Sequence, residues 1–164
     1  MTADAPLTPT PLPAPPALRP MTHIRCEVGE VVSLGMGPWG ERRFVPLGGG
    51  EARGPELEGT LVEGGVDWQV LRADGALDIA AHYVLRLSDG ALVEVRSEGL
   101  RHGPADVMSR LAAGEAVAPQ EYYFRTVMRF TTGATAWLHL NKVIAIAVGR
   151  REARSVHLDV YRLG

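Results

Sequence analysis

The chain has 164 residues, 46% of them hydrophobic, and sets 17 Lys and Arg against 19 Asp and Glu for a formal net charge of −2. That length suits one compact domain, and the near-neutral balance excludes the basic footprint of a dedicated nucleic-acid binder. A single cysteine, Cys26, excludes an internal disulfide and a cysteine-cluster metal site.

In chain order, the first 20 residues read MTADAPLTPTPLPAPPALRP and hold seven of the 12 prolines. Proline fixes φ and lacks an N–H donor, so neither a helix nor a central strand is expected there. Residues 1–20 are predicted to be a disordered, extended tail, with one folded domain over 21–164. The tail has neither the basic start nor the unbroken apolar run of a signal peptide. No run of about 18 apolar residues occurs, so no membrane span is expected, and a cytoplasmic protein is the expectation.

Strands dominate the predicted body: Thr22–Leu34, Leu57–Val62 ending at Gly64-Gly65, Val66–Arg72, Leu77–Leu87, Ala91–Arg96, Tyr122–Thr131, Ala136–Val148 and Val156–Leu163. Ala73-Asp74-Gly75 and Ser88-Asp89-Gly90 supply the positive φ of tight hairpins, which makes the middle a meander. This spacing predicts an all-β antiparallel barrel or sandwich. One short helix is predicted over Pro104–Gly114. It has Pro104 in its first turn, Asp106 to complement its dipole, Val107, Met108, Leu111 and Ala112 on one face, and Gly114 as its stop. Ala136–Leu140 and Val143–Val148 carry apolar residues on both strand faces, so a homodimer covering one of them is expected.

Few motifs carry chemistry. Gly35-Met36-Gly37-Pro38-Trp39-Gly40 fits the dinucleotide pattern by letter, but the following segment has strand character, is broken at Pro46 and shows no helical period. A glycine-rich turn is the better reading, and no cofactor is expected. Gly48-Gly49-Gly50 suits a bulge or a close backbone approach. The five histidines show no His-x-His or His-x-x-x-His pair, so no metal site is expected. Strand parity groups the remaining polar residues. Asp67 shares a face with Gln69 opposite Trp68, Glu94 shares a face with Arg96, and Tyr123 shares a face with Arg125. Inward faces of a small barrel would hold one small organic molecule, whereas outward faces would simply meet water.

Several segments together resemble the family called domain of unknown function 3237. They are Arg42–Gly50, Gly64-Gly65-Val66-Asp67-Trp68-Gln69, His82–Arg86 before Asp89-Gly90, Tyr122-Tyr123-Phe124-Arg125-Thr126, Trp137, Leu140-Asn141 and Gly149-Arg150-Arg151. The resemblance covers nearly all of 22–163. It implies a small antiparallel β-barrel, similar to lipocalin-like and allene-oxide-cyclase-like barrels, and the short helix read from the sequence is expected to cap one end of it. It also implies recurrent residues at Asp67, Trp68, Gln69, Tyr83, Arg96, Tyr123, Phe124, Arg125 and Asn141. Two departures stand out: Ala80-Ala81-His82-Tyr83 where the family often has Asp-Ala-Arg-Tyr, and Arg96-Ser97-Glu98-Gly99 where it often has Arg-Asn-Arg-Gly.

Two functional readings and one structural reading follow. In the first, the chain is a cofactor-free isomerase or cyclase with Asp67 as a desolvated general base. Arg96 or Arg125 then stabilises an oxyanion, Tyr83 or Tyr123 donates a proton, and Trp68 or Trp137 walls the substrate. In the second, the barrel carries or senses a small hydrophobic or aromatic acid, with Gln69 and Asn141 among its contacts. In the third, Asp67 and an arginine form a structural ion pair. Either functional reading expects Asp67, Gln69, Tyr83, Arg96 and Arg125 around one cavity of roughly a few hundred Å³.

Overall fold

The computed structural model describes residues 12–164. Nine strands form one antiparallel sheet: β1 (Leu18–Val28), β2 (Val32–Gly37), β3 (Gly40–Arg53), β4 (Gly59–Leu71), β5 (Leu77–Leu87), β6 (Leu92–His102), β7 (Tyr123–Thr131), β8 (Ile144–Arg151) and β9 (Ser155–Leu163). The order is β1-β9-β8-β7-β6-β5-β4-β3-β2, and a further β1–β3 pairing closes eight of the strands into a barrel. Strand β2 stays outside, hydrogen-bonded to β3 alone. Closure removes the exposed edges that an open sheet would leave.

Most of the predicted tail, residues 1–11, lies outside the described residues. Residues 12–17 are exposed and carry no regular structure. The barrel begins three residues before the expected boundary, because Leu18–Pro20 pair with the last strand, Leu18 opposite Leu163. Pro20 is accommodated where the register shifts between Pro20 and Thr22, the kind of position where a sheet tolerates a missing donor.

The two Asp-Gly turns are built alike. Arg72 N–H donates to the Ala76 carbonyl and Leu87 N–H to the Ala91 carbonyl, while the carboxylates of Asp74 and Asp89 accept from Ala76 and Ala91 N–H. Gly75 and Gly90 sit at φ 84° and 87°, a region that β-branched or bulky residues avoid. The glycines over 35–40 make the β2–β3 hairpin, and no helix follows them. Gly50 sits at a register shift in β3, where a Cβ would lie 2.1 Å from the Arg25 carbonyl oxygen.

Four sequence expectations change. The single strand expected over Thr22–Leu34 is two, β1 and β2, separated at residues 29–31. Strand β3 runs straight through Pro46, whose side chain is exposed on the outer wall and whose carbonyl accepts from Gly29 N–H. The two strands expected on either side of Gly64-Gly65 are one strand, β4, with the glycines in an irregularity between Val62 and Val66. Such bulges bend a strand enough to close a barrel. Residues Thr135–Lys142 form a 3-10 helix instead of the first half of a long strand, and Leu140 is its buried residue. The two-faced apolar strand behind the homodimer expectation therefore shrinks to β8.

The barrel interior divides by chemistry. Toward one end Ile24, Ala52, Leu85, Val93, Val95, Met128, Ala145 and Val160 are buried, and the 3-10 helix closes that end with Leu140. The helix α1 (Ala105–Ala112) connects β6 to β7 at the other end and buries Val107 and Leu111. Polar side chains gather inside that second end.

Candidate active site

Inward parity builds the site. On β4 the alternation that buries Leu61 also turns Asp67 and Gln69 inward and leaves Trp68 outside. The same alternation on β5, β6 and β7 supplies Tyr83, then Ser97 and Arg101, then Phe124 and Thr126. Strand β8 supplies Arg151 from its last position. These residues line an interior cavity together with Cys26, Val45, Leu47, Ile79 and Leu158. The cavity measures about 50 Å³, which is room for a few waters at ~10–15 Å³ each and well below the expected few hundred. Bulky inward side chains, including Phe124, Arg101 and Arg151, fill the rest. Phe124 lies flat over Gly149, where a Cβ would come within 2.4 Å of its ring. The Arg101 guanidinium stands 5.7 Å from the same ring.

Asp67 is held by hydrogen bonds instead of an ion pair. Gln69 Nε2 donates to Asp67 Oδ2 at 2.6 Å, and Ala80 N–H donates to Oδ1 at 3.2 Å. Arg43, opposite Gln69 in the β3–β4 register, donates from Nε to Gln69 Oε1 at 2.9 Å. Gln69 is thus fixed on both ends and presents its amide N–H to the carboxylate. Burial raises the Asp67 pKa above the ordinary carboxylate value, against the lowering pull of Gln69, Ala80 N–H and the more distant Arg101 and Arg43. The reading of Asp67 as half of a structural ion pair does not describe this geometry.

Around it sit groups with unmet hydrogen-bonding capacity. The Tyr83 hydroxyl and Arg101 Nε are buried without a partner among the described residues. Burial pushes the Tyr83 phenol up, and burial together with Arg151 and Arg43 lowers Arg101 to about 10. Burial raises the Cys26 thiol to about 12, so it sits in the wall as a protonated, unreactive group. The Arg151 guanidinium bonds the carbonyls of Glu152 and Ser155, and its backbone N–H donates to the Tyr122 hydroxyl at 2.9 Å.

Of the residues singled out from sequence, Asp67, Gln69, Tyr83 and Phe124 share the cavity; the others do not. Arg96 projects from the outer wall onto Glu94, with its side chain 64% exposed. Arg125 and Tyr123 lie outside against each other, 5.1 Å from guanidinium to ring. Their strand keeps Phe124, Thr126, Met128 and Phe130 for the interior. Trp68 packs outside on Phe44 and Arg42. Trp137 donates from Nε1 to Asp89 at 2.7 Å, tying the 3-10 helix to a hairpin turn. Asn141 bonds both the N–H and the carbonyl of Thr132, a turn-stabilising role. The β1–β9 register also brings His23 beside His157 on the outer wall, Nε2 to Nδ1 3.2 Å, with Asp159 on the first and Glu152 on the second. That string is invisible in sequence spacing.

The family model of a protein of unknown function, DUF3237, matches residues 16–163. The chain belongs to this family. A UPF0311 protein of Bradyrhizobium diazoefficiens is 37% identical over 140 residues, covering 85% of this chain and 91% of its own. The crystal structure of a conserved protein of unknown function from Rhodopseudomonas palustris superposes with a TM-score of 0.88 at 32% identity, covering 96% of this chain and all of that one. An enzyme from Penicillium herquei shares the barrel at a TM-score of 0.71 and 22% identity, over 94% and 99% of the two chains. Of the departures from the family pattern, Ala80 and Glu98 face each other across β5 and β6 on the outer wall, and only Ser97 enters the cavity.

Proposed function

We propose that this DUF3237 protein is a proton-transfer enzyme of the isomerase or cyclase type acting on a small organic molecule. The observation that carries the reading is a half-buried carboxylate on an interior cavity, positioned by an amide and a backbone N–H, with a phenol hydroxyl in the same cavity that has no partner among the described residues. Desolvation raises the basicity of Asp67 toward that of a usable general base. Gln69 and Ala80 N–H fix its orientation and leave lone pairs for a substrate C–H or O–H proton. Asp67 takes that proton, the electron pair moves onto the adjacent carbonyl oxygen, and Tyr83 O–H hydrogen-bonds the resulting oxyanion. The protonated carboxyl then returns the proton at another atom, or the anion closes a ring first. Arg101, and neither Arg96 nor Arg125, is the β6–β7 arginine that lines this cavity. The fungal enzyme of the same fold supports chemistry on this scaffold.

The test is solvent exchange. Small enolisable ketones and phenolic acids are incubated with the protein in D2O, and loss of the substrate proton signal is followed by NMR. Exchange by the wild type that falls about 10²-fold or more in Asp67→Asn supports the reading. Equal rates in the two proteins contradict it, and saturable binding without any exchange favours the carrier reading. We also propose a homodimer through the outward apolar residues of β7 and β8, Val127 and Ile144 among them. A monomer mass by light scattering contradicts that.

A further inference from the structure

Charge inside the barrel does not balance. Asp67 lies within Coulombic reach of Arg43, Arg101 and Arg151, and the β4 carboxylate is the one acid lining the cavity. Arg43 is committed to Gln69, and Arg151 spends part of its fork on two backbone carbonyls. Arg101 has no such commitment: its buried Nε has no partner among the described residues, and a phenyl ring backs its guanidinium. A buried guanidinium N–H without an acceptor is costly, and the carboxylate of a ligand would supply one. The Tyr83 hydroxyl, buried and equally without a partner among the described residues, is a further donor elsewhere on the same cavity.

We infer that Arg101 is the anchor of an anion subsite, and that the natural ligand is a small organic acid. Its carboxylate meets Arg101, with Arg151 beside it. The proposal rests on the cavity described under the proposed reaction and names its substrate class. A guanidinium matches a carboxylate in plane and can donate two parallel hydrogen bonds. The apolar side chains Val45, Leu47 and Ile79 suit the acid's carbon body. Arg151 also lines a surface hollow of about 550 Å³ formed with residues 114–118, so its side chain stands between that hollow and the cavity. Asp67, hydrogen-bonded to Gln69, is kept apart from the anchor as the proton acceptor.

The test uses acetate and its neutral isostere acetamide, sized to a cavity of about 50 Å³, on the full chain, read by NMR and by thermal melting. Acetate is expected to move the Arg101 Nε–H resonance downfield in a saturable way and to raise the melting temperature. Acetamide is expected to bind at least tenfold more weakly. Arg101→Met is expected to fold, to melt no lower than the wild type without ligand, and to lose the acetate response. Arg101→Lys, which keeps the charge but not the planar fork, should retain only part of it. Equal binding of acetate and acetamide overturns the proposal, as does undiminished acetate binding by folded Arg101→Met or Arg101→Lys. Asp67→Asn separates this proposal from the reaction. If it binds acetate as tightly as the wild type while the wild type exchanges no substrate proton, the reaction fails and the anion subsite stands. If exchange is seen only with neutral substrates and acetate does not bind, the anion subsite fails and the reaction stands.

Discussion

The two ends of this barrel use the same strands for opposite purposes. At the end closed by the 3-10 helix, inward positions carry Leu85, Val93, Val95 and Met128, all fully buried and apolar. A few residues along the same strands, the inward positions become Tyr83, Ser97, Arg101 and Thr126. The first end stabilises the fold through burial, at roughly 25 cal/mol per Å² of apolar surface removed from water. The second keeps a desolvated carboxylate, an unpartnered phenol and an unpaired guanidinium, each of which works against stability. A polar interior held at that cost points to function at the second end, with the first end supplying the stability that tolerates it.

Breaking the apolar end should have the largest effect. Leu85→Ala is expected to cost about 2–5 kcal/mol in urea unfolding, while leaving ligand contacts at the far end intact in the surviving folded fraction. Gly149→Val should come next, at about 1–3 kcal/mol. Its new methyl groups collide with the Phe124 ring, and that ring backs Arg101, so the variant should also weaken acid binding.

At the polar end the sign reverses. Asp67 binds its proton more tightly in the folded barrel than in the unfolded chain. Folded stability is therefore lost as pH rises through the unfolded value of 3.8 toward the raised folded one. Asp67→Asn removes that loss. The variant should unfold at higher urea than the wild type at neutral pH, and its advantage should vanish below 3.8. An advantage that persists in acid would place the effect in packing instead of charge. The smallest effect belongs to the outer wall. Arg96→Ala and Arg125→Ala should change stability by less than about 0.5 kcal/mol and leave acid binding unchanged.

That last contrast also shows how far the sequence could be read. Barrel class, the hairpin turns, the α-helix and β5 over Leu77–Leu87 were legible, because period-2 alternation and Asp-Gly turns are local signals. Asp67 and Gln69 were grouped by parity and turned inward by the family resemblance, yet the same reasoning placed Arg96 and Arg125 on the wrong face. The alternation that buries Val93 and Val95 continues to Ser97 and Arg101, but the predicted β6 ended at Arg96 and cut Arg101 off. On β7 the apolar set Phe124, Met128 and Phe130 marks the inner face and assigns Tyr123 and Arg125 to solvent. Arg151 was hidden for another reason: it closes on the cavity from a strand end whose pairing is long-range. The 3-10 helix over Thr135–Lys142 was not legible, since a short apolar run such as Ala136–Leu140 reads equally well as a buried strand. Its capping role depends on Trp137 reaching Asp89, 48 positions away.

The most direct test of the account is the titration of Asp67 itself, followed through its carboxyl carbon by NMR in the ligand-free protein. A midpoint clearly above 3.8 is predicted, falling when Gln69 is kept but the cavity is opened by Ile79→Ala, because added water relieves the desolvation. A midpoint at or below 3.8 would mean that Asp67 is a solvated or ion-paired carboxylate and would contradict its role as the base.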